Sequence, residues 1–574
     1  MAYYTPLHQA AADAVAALGD VAVADLKVDA PPKAALGDFA VGCFAIAKAR
    51  GANPAKVAQD IAARFEPSAL LASAQATGPF VNFRAHRAAA FRWVVDAALR
   101  GALVPTAVGA GKTITIDYSS PNIAKQLAYH HIRSTMLGHA LVQIFRALGY
   151  QVVGINHLGD WGKNFGMLVD AWHRWGPFEP LDVAVLNDNY VRYRAAIEEN
   201  PALDDVARAY FKKLEDGDPE TRALWQRFRD VSLAEFQSIY DALGVRFDEV
   251  RGESAYETAL PRVLDELAAH HLLSESDGAT VVRLEGTDKP VLIKTRDGTT
   301  LYVLRDLATA EYRWNTYHPA RSLYVVDHSQ SGHFREVFAV LALMGHADAA
   351  AVCEHIPFGL VQIGGKKTGS RSGDVVLLKE VLAEATARVR EVIAKSSAEL
   401  PDEVLAEVAP MVGTGAVVFA NLASQREKNV DFDWDKVIAL TGDSGPYLQY
   451  SHARCASIAR KAGTHVTAAS LATTVDFAKL TTDAEWAVAR RLLDYPDVVV
   501  RAGEHCEPHL VCHYLLDLAG VFSRWYTDGN GDASLRVLCE DPATRSARLA
   551  LTAAVQAVLG AGLRLLGITA PDRM

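Results

Sequence analysis

The chain has 574 residues and a mass of 62.0 kDa, enough for about four domains at ~150 residues each. Half of it is hydrophobic and 22% is charged, a globular composition that excludes a disordered or collagen-like chain. The net charge of −10 excludes indiscriminate coating of nucleic acid but leaves room for contact through a local basic patch. No uninterrupted apolar run approaches the ~18 residues of a membrane span, and the first residues lack the basic and apolar segments of a signal peptide, so no membrane partner is expected. Cysteines stand at 43, 353, 455, 506, 512 and 539 without a Cys-x-x-Cys pair, so reduced thiols and a cytoplasmic location are expected.

Residues 1–105 read as a small α/β module. Helical spacing from Val41 to Glu66 is broken at Gly51-Ala-Asn-Pro54, and Gly78 to Arg84 alternates apolar and polar residues like a strand. A junction of small residues and proline leads to Lys112-Thr-Ile-Thr-Ile-Asp117, a buried strand. A turn at Ser119-Ser-Pro-Asn122, a helical segment from Ile123 to Leu148 and a strand at Tyr150 to Ile155 complete a β-α-β unit of a parallel sheet. A charged helical stretch at about 172–248 reads as an insertion into a core spanning 110–385. Strand-like runs return at Ala279, Val291 and Ser322, and from about 376 onward the pattern is almost entirely helical, with a helical domain expected at 390–574.

Open parallel sheets bind ligands where strands end and helices begin. Ser119 to Lys125 is such a loop, with Asn122 and Lys125 as a donor and a charge; by pattern alone a capped helix is the commoner reading. Gly159-Asp-Trp-Gly162 fits a pocket floor or a tight turn equally well. Tyr302 and Asp306 share one face if their segment is helical, an arrangement suited to a cation, although a core tyrosine with a helix-start carboxylate is more common. The basic, glycine-rich Gly364 to Gly373 is a phosphate cradle or a solvated loop, and it does not match a P-loop. His505-Cys-Glu-Pro-His509 with Cys512-His513 lacks a second ligand cluster, so no metal site is expected.

Taken in order, these pieces resemble arginyl-tRNA synthetases, a family of class I aminoacyl-tRNA synthetases. The resemblance rests on Ile116-Asp-Tyr-Ser-Ser-Pro-Asn-Ile-Ala-Lys125, Arg133-Ser-Thr135, Asn156 to Gly162 and Arg251-Gly-Glu-Ser254. It continues through Leu301 to Asp306, Tyr324-Val-Val-Asp327, Asp443 to Arg454 and the ending Gly562 to Pro571. It implies an α/β fold: a class I nucleotide-binding parallel sheet with a helical insertion, a small α/β N-terminal domain that contacts the tRNA elbow, and an all-α C-terminal domain that binds the anticodon. The implied reaction is activation of L-arginine by ATP, with Mg2+, and esterification to tRNA(Arg). A monomer without a permanent cofactor is expected.

The resemblance also assigns residues. Ser120, Asn122, Glu253, Tyr302, Asp306 and Gln330 match positions around arginine; Phe80, Asn82, Tyr447 and Arg454 match tRNA contacts. A guanidinium donates five hydrogen bonds and cannot be deprotonated, so a selective pocket needs fixed acceptors, which carboxylates provide. The catalytic set would be His131, Lys125, Lys367 and Arg371. The ATP signature departs from the family. Where relatives carry His-x-Gly-His, this chain has Ala128-Tyr129-His130-His131, replacing the first histidine and the glycine on which adenine rests. The basic loop likewise departs from the family's Lys-Met-Ser-Lys pattern. Two readings follow: an arginine–tRNA ligase with an altered ATP site, or a paralogue that binds arginine with adenylation lost or redirected to a regulatory role or a small acceptor.

Overall fold

The computed structural model describes residues 4–296, 300–363, 366–367, 376–396 and 400–574. The N-terminal strands β1 (Val28–Asp29), β2 (Phe39–Gly42), β3 (Leu71–Thr77) and β4 (Phe80–Ala85) form an antiparallel sheet in the order β1-β2-β4-β3. Helices Pro6–Gly19, Phe44–Arg50 and Pro54–Arg64 accompany it, and the break between the last two falls at the expected Gly-Ala-Asn-Pro. Asn53 caps the third helix through the N–H of Ala55, and Pro54 occupies its first turn, where a missing N–H costs nothing.

The core strands are β5 (Thr113–Asp117), β6 (Gln151–Asn156), β7 (Glu249–Val250), β11 (Arg321–Tyr324) and β12 (Cys353–His355). Between them in the chain, β8 (Leu273–Ser276), β9 (Ala279–Val282) and β10 (Val291–Lys294) form a separate antiparallel sheet. The Ala279 and Val291 runs are thus strands, but not of the core. The core sheet is parallel throughout, in the order β12-β11-β5-β6-β7. Its first strand lies in the middle, and the chain builds outward on one side before returning to the other. The reversal falls between β5 and β11, whose ends are level, Asp117 opposite Tyr324. A crevice at such a reversal is where open α/β sheets take ligands.

Two expected boundaries shift. The helix after β5 is His131–Ala147 and does not begin at Ile123. Ala124 has a positive φ of 61°, Asn122 makes a parallel bridge to Gly159, and Ala128 makes an antiparallel bridge to Leu377, so 122–128 connects two distant segments of the chain. Beyond 390 the chain is not purely helical: β15 (Val430–Phe432) returns to pair in parallel with β13 (Val361–Ile363), which also pairs with β14 (Lys366–Lys367).

The insertion consists of helices Val183–Glu199, Ala202–Glu215 and Pro219–Leu243, following Lys163–Trp175. The C-terminal bundle is built from Asp402–Leu422, Gly445–Ala462, Asp483–Glu504, His509–Gly531 and Pro542–Leu565. The first and last are long and apolar enough to cross a membrane, which counting uninterrupted runs did not show; 56% and 72% of their apolar windows are buried in the fold. The N-terminal module joins this bundle through buried Asp38, which accepts from Trp486 Nε1 at 2.7 Å and from the Ala85 N–H at 2.9 Å.

Candidate active site

The loop after β5 is held under strain. Ser119 and Ser120 both have positive φ, 70° and 47°, a region that costs a side-chain-bearing residue about 1–3 kcal/mol. Hydrogen bonds hold them there. The Ser119 N–H donates to Ser134 Oγ (3.0 Å), and the Ser119 hydroxyl meets Thr135 Oγ1 and the Tyr240 hydroxyl at 2.8 and 2.9 Å. Ser120 donates from Oγ to Asp117 (2.6 Å) and from its N–H to Asn156 Oδ1 (3.1 Å). Asp117 is fixed in turn by buried Arg313 at 2.7 Å, whose guanidinium lies 4.8 Å from the Tyr324 ring centre.

Next to this loop, at the sheet reversal, lies a cavity of about 450 Å³. Ser119, Ser120, His130, His131, Asp327 and Phe358 line it. The helix N-terminus at His131 adds backbone N–H groups and a partial positive charge suited to phosphate. The His131 Nδ1 donates to the Ala128 carbonyl at 3.0 Å, which leaves Nε2 with the lone pair. Burial, reinforced by His130, pushes His131 down to about 3, so it is neutral at physiological pH. Its ring lies 4.2 Å from that of His130, centre to centre. Ala128 is buried, and Tyr129 is anchored by its N–H to the Val376 carbonyl (2.8 Å) and by its hydroxyl, which accepts from Asn421 Nδ2 (3.0 Å). Arg133, also buried, donates to the carbonyls of Asn421, Gln425, Arg426 and Lys428 and so ties the signature helix to the bundle's first helix and the loop after it.

A second group of residues lies beyond β6 and β7. Asn122, Lys125, Tyr190 and Tyr302 line a narrow pocket against Gly159. A Cβ on Gly159 would stand 1.9 Å from Asn122 Oδ1, so only glycine allows this approach. Asp160 is fully buried and accepts from the N–H and Oγ of Ser254 at 2.9 and 2.8 Å, which locks the Glu253 turn onto the Gly-Asp-Trp-Gly loop. A Cβ on Gly252 would fall 2.3 Å from the Asp160 carboxylate. The Glu253 Oε2 is buried and makes no hydrogen bond among the described residues. Burial pushes the Glu253 carboxyl up to about 8; Arg305 opposes the shift, and Asp306, Asp160 and Glu257 add to it. Tyr302 and Asp306 lie on one helix, Tyr302–Tyr317, as their spacing predicts, and Asp306 pairs with His333 Nε2 at 2.6 Å. Gln330 ends an exposed one-turn helix three residues before His333.

Comparison with known proteins gives this cleft a family. Family models described as class I (R) tRNA synthetase catalytic domain, DALR anticodon binding domain and arginyl tRNA synthetase N terminal domain match residues 94–434, 448–574 and 5–85. An arginine–tRNA ligase from an Exiguobacterium species is 42% identical over 555 residues, 95% of each chain; one from Streptococcus agalactiae is 41% identical over 554 residues, again 95% of each. The chain belongs to the arginyl-tRNA synthetases. The solved arginyl-tRNA synthetase of Thermus thermophilus superposes with a TM-score of 0.82 at 28% identity, covering 99% of this chain and 100% of that one.

In this synthetase the sequence-assigned residues fall as follows. Asn122 and Tyr302 line the second pocket, Glu253 and Asp306 lie within electrostatic reach of Tyr302, and Ser120 spends its hydroxyl on Asp117 and lines the cavity at the sheet reversal instead. Lys125 sits with its ammonium 5.0 Å from the Tyr190 ring centre. Arg371 and most of the basic loop lie outside the described residues; Lys367 is described only as part of β14. Phe80 is 39% exposed and meets Phe44 edge to face. Asn82 does not reach the surface: it is 3% exposed, enclosed between β2 and β3, with Nδ2 donating to the Gln75 carbonyl. Tyr447 is half-buried at the start of its helix, and Arg454 stacks on Tyr450 and Tyr526. In the His505–His513 segment, Glu507 pairs with His509 at 2.8 Å and His513 bonds the Ala423 carbonyl.

Sequence reasoning passed over His333, the lock made by Asp160, and Tyr190, and it quoted Asp327 in a motif without giving it a role. Asp160 stood inside a motif already singled out. Tyr190 had no local signal, because it reaches the pocket from the inserted helices.

Proposed function

We propose that this synthetase activates L-arginine with ATP as arginyl-adenylate and esterifies it to the 3′-terminal ribose of tRNA(Arg). An arginine carboxylate oxygen attacks the α-phosphorus and pyrophosphate leaves; a ribose hydroxyl oxygen then attacks the acyl carbon and AMP leaves. The observation that carries the arginine assignment is the buried Glu253 Oε2 without a donor, placed near Asp306 and Tyr302. A guanidinium supplies the missing donor as a charge-assisted bond, and lysine, without the fork, leaves acceptors unpaired. The ~450 Å³ cavity at the sheet reversal supports a nucleotide there despite the bulk of His130.

Beyond Tyr302 a chamber of about 890 Å³ carries Lys163, Arg208, Lys212, Arg296 and Arg305 against a single carboxylate among the described residues, Glu215, beside Trp161. Cations with an aromatic edge suit a single-stranded RNA end. The proposal extends to Mg2+ arriving with the triphosphate, and to a monomer working in the cytoplasm. Asp327 is the one carboxylate among the described residues that line the nucleotide cavity, with Oδ1 engaged by Ser329. Arginine-dependent pyrophosphate exchange, with and without tRNA(Arg), tests the whole reading. Exchange that needs arginine supports it; arginine binding without exchange under either condition would transfer the case to a paralogue that has lost adenylation.

A further inference from the structure

Away from the cleft, three side chains from three elements converge. Glu266 stands on helix Leu260–Ala269, Glu311 on helix Tyr302–Tyr317, and His346 at the start of helix Ala347–Val352. One ligand atom from each lies within 4.8 Å of the others. His346 Nε2 is 2.7 Å from Glu266 Oε1 and 3.4 Å from Glu311 Oε1. Arg262 takes the other face: it bonds Glu266 Oε2 at 3.1 Å and also Glu311 Oε2. Both Oε2 atoms are thereby satisfied, and both Oε1 atoms are left facing the imidazole. Glu311 is 1% exposed, and its Oε1 makes no hydrogen bond among the described residues.

We propose that Glu266, Glu311 and His346 bind a borderline first-row divalent cation, with zinc the best match. A single proton on His346 can bridge to Glu266 but leaves the buried Glu311 Oε1 without a donor. A metal ion in that proton's place reaches all three atoms at once. Zinc takes imidazole nitrogen at about 2.0–2.1 Å and carboxylate oxygen at about 2.0–2.2 Å, which sets tetrahedral ligands roughly 3.4 Å apart. The 3.4 Å from Nε2 to Glu311 Oε1 already matches that, and the 2.7 Å to Glu266 Oε1 would open by about 0.7 Å through a rotation of the Glu266 side chain. Two carboxylates less one guanidinium leave one net negative charge, which a dication more than offsets, and a mixed nitrogen and oxygen set suits zinc better than magnesium. The ion would brace the helix that carries Tyr302 and Asp306 from its far end.

The test uses the full chain, stripped with a chelator and desalted. Wild type is expected to bind one more equivalent of Zn2+ than His346→Ala or Glu311→Gln, at least tenfold more tightly than any remaining sites. Co2+ in that site should show d–d bands without a thiolate charge-transfer band, which separates it from the six cysteines. Added Zn2+ should raise the thermal midpoint of wild type but not of the two variants. Arg262→Gln should tighten binding by removing a nearby positive charge. Should Glu311→Gln fail to fold, His346→Ala decides, since His346 is only half-buried. Equal zinc content and equal thermal response in wild type and His346→Ala would reduce the cluster to an ion-pair network and overturn the proposal.

Discussion

In the proposed arginine site, recognition would rest on side chains: the Glu253 and Asp306 carboxylates, the Tyr302 ring and the Asn122 amide, with the Glu253 turn locked by Asp160 and Asn122 set against Gly159. On the nucleotide side much of it rests on backbone: two left-handed serines, a helix N-terminus at His131, and the bridge from Ala128 to Leu377. A guanidinium is told from other cations by where acceptors stand, so few replacements keep that side working. In the proposed nucleotide site, phosphate and adenine would be met by N–H groups and by shape, which survive a change of side chain. This contrast accounts for a nearly complete arginine set beside a signature reading Ala128-Tyr129-His130-His131.

The sharpest way to break the contrast is Glu253→Gln. Removing one member of a buried, hydrogen-bonded charge pair costs roughly 2–5 kcal/mol, so the arginine Kd should rise by about 30-fold or more. Calorimetry with arginine and lysine checks it; an unchanged Kd, or equal affinity for both amino acids, would remove Glu253 from the pocket. On the other side, Ala128→His with His130→Gly is expected to speed adenylation by about 10², the scale of one transition-state donor. The double variant should exceed the product of the singles, because one change adds a donor and the other frees the adenine seat. His131→Ala should abolish the gain. Wild-type pyrophosphate exchange already within the ordinary ~1–10³ s⁻¹ range would show that the altered signature needs no repair.

A pH series separates the two sides further. The Glu253 carboxyl titrates at about 8 in the free protein, so below that pH it is protonated. Arginine binding requires the carboxylate and releases that proton. Affinity should therefore climb about tenfold per pH unit from pH 6 and level off near 8. Calorimetry in buffers of different ionisation enthalpy would detect the proton; uptake in place of release contradicts the assignment. His131, held down to about 3, stays neutral throughout and should leave no inflection near 6.5 in the exchange rate. The smallest effect is expected at Tyr190, whose ring faces the Lys125 ammonium. Such contacts are worth about 0.5–2 kcal/mol, so Tyr190→Ala should cost a few-fold to about 30-fold in kcat/KM for ATP, while Tyr190→Phe, which keeps the ring, should cost little.

Local sequence was a good guide wherever one segment carried its own signal. The β-branched run Thr113 to Asp117 became the central strand, and the four-residue spacing of Tyr302 and Asp306 placed both on one helix. Neither result needed knowledge of distant residues, because strand and helix periods are properties of the local backbone. The start of the signature helix was different. Residues 123 to 130 read as helix from composition, yet the chain turns left-handed at Ala124 and pairs with 376–378, a partner some 250 positions away that no local pattern announces. Asn82 alternates like a surface residue but lies in an inner strand, so neighbours on both sides cover it. The aim of Glu253 depends on Asp160, and the seat of Lys125 on Tyr190 from an inserted helix. Residue types and periods thus decided which groups this protein possesses. Which of them are buried without a partner, and so are ready for a ligand, was decided by long-range packing alone, because desolvation is a property of the surrounding chain and not of the residue itself.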